Sequence, residues 1–132
     1  AAAERTTSAD IARLQRHIEE EHRALDQGQL GLALKLSGNF HLEIARIADQ
    51  HTIEHFLKQL IYRSSLVIAL YWKRRDALCE NNTHNTLVEA LSKNDGNAAE
   101  DLMTGHLLNI YSQLDLRERE EESISLRDAL RQ

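Results

Sequence analysis

Proline is absent from this sequence, glycine occurs only five times, and aromatic residues make up 5%. β-Branched residues are sparse as well, while Ala, Leu, Glu and Arg are common, so the composition argues against a strand-rich fold and for helix throughout. Cysteine is represented by Cys79 alone, which excludes a disulfide framework. Basic residues are outnumbered: 16 Lys and Arg stand against 21 Asp and Glu, a formal charge of −5. No face of the chain therefore reads as one that tracks a phosphate backbone. The one basic cluster, Lys73-Arg74-Arg75, falls at an expected helix end, where cations complement the helix dipole. No run of about 18 apolar residues occurs, and the N-terminus lacks a charged-then-apolar leader pattern. The expected setting is the cytoplasm, with no membrane contact.

What is present suits one domain. The 132 residues are 42% hydrophobic and 28% charged, enough for a single core. Ala1-Ala2-Ala3-Glu4-Arg5 reads as the tail of a helix, so the chain is expected to begin inside a longer protein. Thr7 and Ser8 are good N-caps for a helix with the stripe Ile11, Leu14, Ile18 and Leu25, closed by a turn at Gly28. A second helix is predicted from about Gln29 to Ala48, with Ala33, Leu36, Phe40, Ile44 and Ile47 on its apolar face. A third, from about Thr52 to Arg75, is the longest and is expected to be the central helix, through Ile53, Phe56, Leu57, Leu60, Ile61, Val67 and Leu70. Asn81-Asn82 marks a loop, and Thr83 is expected to cap a short helix ending near Lys93. Asn94-Asp95-Gly96 is a turn signal, after which a helix begins near Asn97. Six consecutive charged residues, Arg117 to Glu122, should take the chain out of the core. Ile124, Leu126 and Leu130 would then form a short terminal helix. The expected architecture is all-α, an antiparallel bundle of six to seven helices.

Seven histidines stand out. His17, His51 and His55 lie among polar residues and read as surface positions, and His22 lies on the stripe Leu14, Ile18, Leu25, where it is expected to be half-buried. His41, His84 and His106 each fall on the apolar face of a different predicted helix. A buried imidazole must satisfy two ring nitrogens, so three unrelated ones in a small core would be costly. A shared metal would satisfy one nitrogen of each, although a lone histidine on an apolar face is more often a satisfied core residue. Three imidazoles with an open position suit zinc, and also nickel, cobalt or manganese. Arg63 lies on the line Phe56, Leu60, Val67, Leu70. A buried guanidinium needs an anion, and that anion is either an internal carboxylate or the carboxylate of a ligand, unless the side chain snorkels to the surface.

The stretch Asn39-Phe40-His41-Leu42-Glu43-Ile44-Ala45 resembles the "FHxxIA" motif of the FCD domain, the effector-binding domain of FadR-type regulators in the GntR family. Thr83-His84 through Leu87, Glu89-Ala90-Leu91, Asp95, Ala98-Ala99, Met103 and His106-Leu107 resembles that family's second motif, its two histidines 22 positions apart. Ala2-Ala3 to Thr7, then Asp10-Ile11 and Leu14, is similar to its first helices. The resemblance covers nearly the whole chain, residues 1–132 being then one effector-binding and dimerisation domain. It implies a metal held by an aspartate and three histidines, a small organic acid as effector, and a homodimer. DNA would be read by a winged-helix domain N-terminal to this one. The histidines carry over as His41, His84 and His106. Ser37 stands where the family has aspartate, which removes one ligand and one negative charge. The expected ligand-binding set is Arg63, Ser37 and Asn109. Two other readings stay open: a metal-free helical dimerisation module, and a three-histidine metalloenzyme. The enzyme is disfavoured because no carboxylate lies one turn from any of the three histidines on the same inner face, with Glu43 and Glu80 arbitrary choices of base.

Overall fold

A computed structural model describes residues 1–71 and 82–114. These form six helices: α1 (Ala2–Arg5), α2 (Ser8–Asp26), α3 (Leu30–Ile47), α4 (His51–Tyr71), α5 (Thr83–Ser92) and α6 (Gly96–Ser112). Among the described residues there is no sheet, and the all-α architecture is as expected. The segment 117–132 and the cluster Lys73-Arg74-Arg75 lie outside the described residues.

Local chemistry sets most boundaries. The Thr7 side chain accepts from the backbone N–H of Asp10, while the Asp10 carboxylate accepts from the backbone N–H of Thr7, a reciprocal cap on α2. Gly28, with φ of 70°, makes the turn into α3, a left-handed backbone that glycine adopts without a Cβ penalty. Asp95 caps α6 by accepting from the Ala98 N–H at 3.0 Å. Helix α5 differs from expectation at its start. Its N-cap is Asn82, in left-handed backbone with no side-chain cap, and Thr83 is already the first helical residue.

The core is built by α2, α3 and α5, from Leu14, Ile18, Phe40, Ile47, Leu87, Val88 and Leu91, with Ala3 of α1 sealing one end. Leu102 and Met103 of α6 pack against it. Two further ties hold the frame. The Asn94 amide donates to the Ala3 carbonyl, and Glu43 of α3 accepts from Arg13 of α2 and from Arg46. Hydrogen bonding from Arg46, ahead of that from Arg13, holds the Glu43 carboxyl below its ordinary range.

The expectation that the third helix is central is corrected. Helix α4 has no buried residue and packs on α3 alone among the described helices. Apolar residues occupy more than one of its faces, so periodicity could not choose between them. The face carrying Leu57, Ile61, Ser65 and Ile68 is partly covered. It meets α3 where Gly38 is buried, and a Cβ on Gly38 would lie 2.6 Å from Cγ2 of Ile61. The other line, with Ile53, Phe56, Leu60 and Leu70, is 58–64% exposed.

Candidate functional site

Three helices deliver one histidine each to a single point. His41 comes from the middle of α3, next to the fully buried Phe40, His84 from the first turn of α5, and His106 from the middle of α6. The ring centroids are 5.0 Å apart for His41 and His84, 5.4 Å for His41 and His106, and 4.9 Å for His84 and His106. Phe40 stacks on the His84 ring at 4.4 Å and backs it from the core. One nitrogen of each ring lies within 4.8 Å of the others. The Nε2 atoms of His84 and His106 are 3.3 Å apart.

The electrostatics keep the rings of His41 and His106 neutral. Burial, then the neighbouring His84 and His106, pushes the His41 pKa down to about 3. Burial, then His84, lowers His106 to about 4, with the Glu21 carboxylate pulling the other way. A neutral imidazole offers a lone pair without first losing a proton, which is the form a metal needs. The Nδ1 of His41 is buried and has no hydrogen-bond partner.

These observations fit a divalent ion. Two nitrogens on the edge of a tetrahedron around zinc, at the usual bond lengths, sit about 3.3–3.4 Å apart, and the His84–His106 spacing matches that edge. The orphaned His41 nitrogen is a further polar group that the described protein leaves unsatisfied. The donor set, three imidazoles and no thiolate, suits zinc, nickel or cobalt.

A cavity of about 50 Å³ adjoins the histidines, lined by Ser37, Glu21, His84 and His106 together with apolar side chains such as Leu34 and Ile68. Ser37 is thus at the site, one turn before His41. Asn109 is exposed and lines a separate, open depression of about 310 Å³, which also contains Thr83, Asp101 and His106. Arg63 is not brought in. It lies on the exposed side of α4, so the expectation of a buried guanidinium needing an anion is corrected. His51 and His55 are exposed, as expected, whereas the Nδ1 of His17 is buried without a hydrogen-bond partner, against the surface reading.

Glu21 was not foreseen. It is a buried carboxylate, 5% exposed, whose Oε2 lies 3.0 Å from Nδ1 of His84. The signal was in the stripe itself: 14, 18, 21 and 25 share one helical face, and residue 21 on that face is an acid. Glu21 lies on α2, which carries none of the three histidines, so spacing within their own helices does not reach it. Glu43 is taken up by Arg13 and Arg46, and Glu80 lies outside the described residues.

Compared with known families, residues 1–109 match the model of the FCD domain. No curated protein and no solved structure matched the chain.

Proposed function

The chain belongs to the FCD domain family, and on that premise we propose that it is the ligand-sensing part of a GntR/FadR-type transcription regulator. The observation that carries the reading is the convergence of His41, His84 and His106, with its zinc-like 3.3 Å edge. These three would hold a divalent ion, zinc or nickel by the donor set, with cobalt and manganese as weaker candidates. The ion, when bound, supplies a Lewis-acidic position for an oxygen of a small organic acid. The cavity beside it is far below the 300–1,000 Å³ of drug-sized ligand sites, so the effector is compact. Ser37 offers that ligand a hydroxyl. Arg63 and Asn109, the other two residues of the expected set, lie outside this cavity.

The chain's own residues do the switching. The histidines sit on α3, α5 and α6, so a ligand that prefers one spacing of these helices biases their packing. The exposed apolar line of α4 supports a homodimer as the unit that transmits the change. DNA contact would be made by a separate winged-helix domain in the cytoplasm. The family is regulatory, and Glu21 lies on the His84 nitrogen remote from His106 rather than where it could act as base toward a metal-bound water. No catalytic role is proposed.

The test is metal analysis of untagged protein, followed by thermal melts with zinc or nickel and a panel of small organic acids. The expected result is near-stoichiometric metal and an acid-induced rise in Tm that chelation abolishes. Protein that carries no metal and whose Tm does not respond to zinc or nickel returns the chain to a metal-free dimerisation module, in which the His84–His106 pair is an internal hydrogen bond.

A further inference from the structure

We infer that Glu21 is the carboxylate of this site, acting on the metal through His84 and not as a ligand of its own. The inference rests on the metal reading above and adds a residue to it. Glu21 is a buried acid, and a buried charge persists only where something pairs with it. Its Oε2 lies 3.0 Å from Nδ1 of His84, while the other nitrogen of the same ring, Nε2, lies 3.3 Å from Nε2 of His106. One ring therefore links the acid on α2 to the cluster on α5 and α6.

The chemistry of the contact fixes the tautomer. An ionised carboxylate only accepts hydrogen bonds, so Nδ1 of His84 must carry the hydrogen and donate it. In the neutral form of the ring, Nε2 is then left with its lone pair on the side of His106. The carboxylate also makes His84 a better donor to an ion and sets the ring's orientation, the outer-shell arrangement of acid, histidine and metal. Phe40, stacked on the ring at 4.4 Å, leaves it little room to turn.

The charge balance gives Glu21 a second task. A divalent ion on three neutral imidazoles would place two uncompensated positive charges in the core. Ser37, one turn before His41, offers none to offset them. Glu21 returns one negative charge to the site from a different helix, 63 residues away from His84 in sequence. It is a positioning residue.

The test is a competitive zinc titration of the full chain against Glu21→Gln and Glu21→Ala, read beside the metal-free Tm of each, with histidine nitrogen NMR of the metal-free wild type. The expected result is a 10–100-fold loss of zinc affinity in both variants, and an Nδ1–H tautomer at His84 in the wild type. A purely structural role would lower the metal-free Tm and leave zinc affinity unchanged. Variants that bind zinc as tightly as the wild type overturn the role of Glu21 and leave the three-histidine site standing. A wild type that takes up no zinc overturns the metal reading itself, so the two failures are distinguishable. Should neither variant fold, the NMR decides: an Nε2–H tautomer at His84 overturns the inference.

Discussion

At the scale of single residues, the site is three converging rings, of which burial keeps His41 and His106 neutral. Removing one should remove the metal. His84→Ala or His106→Ala is expected to abolish the zinc-dependent rise in Tm proposed for the wild type, a rise worth about 2.7 kcal/mol at a hundredfold excess over Kd. A variant whose Tm still climbs with zinc would show the ion bound elsewhere. The pKa values of His41 and His106 make a second prediction. Both lie below the usual 6.5, at about 3 and about 4. The folded state therefore binds fewer protons than the unfolded state between those values, and stability drains away as pH falls. It is complete above about pH 6.5. The metal-free Tm is expected to drop between pH 7 and pH 4.5, and His106→Asn should flatten that slope. A pH-independent Tm over this window would contradict the buried, neutral rings.

At the scale of helices, caps and one close approach do the positioning. Thr7→Ala removes the acceptor for the Asp10 N–H and should cost about 1 kcal/mol, measured by urea unfolding. Gly38 lets α4 sit against α3. Gly38→Ala gains helix propensity of about 1 kcal/mol but drives a methyl into Cγ2 of Ile61, a branched side chain with little freedom to move. Overpacking of this kind costs about 1–3 kcal/mol, so a net loss is expected. In the Ile61→Ala background the same change should be neutral or stabilising. Equal effects of Gly38→Ala in both backgrounds would rule out the clash. This is also where sequence reading succeeded and failed. Helix ends were legible because their signals are local: Thr7 with Asp10, Gly28, and Asn94-Asp95-Gly96. The side of α4 that faces inward was not, because it depends on a glycine in another helix. Arg63 lies on the exposed side of α4 for that reason. The histidines were legible from their spacing and faces, whereas the meeting of Glu21 with His84 depends on how α2 and α5 dock.

At the scale of the whole molecule, the core lies between α2, α3 and α5, and α4 rides outside it. Its line of Phe56, Leu60 and Leu70 leaves three large apolar side chains more than half exposed on one helix. On the proposed homodimer reading, Leu60→Glu is expected to shift the full chain from dimer to monomer in sedimentation analysis while helix content stays the same. An unchanged mass would move the dimer contact away from α4.

The three histidines also say something about the order in which the molecule is made. His41 and His84 are 43 residues apart, and Glu21 and His84 are 63 apart. Contacts of such long separation form after the local ones, since a large loop must close before they repay its entropy. α2 and α3 can pair early through the Gly28 turn, but the pocket exists only after α5 and α6 have docked on them. Effector capture, as proposed, would then be a property of the completed fold. A partly synthesised chain would have no competent pocket, and the signal would come from finished copies alone.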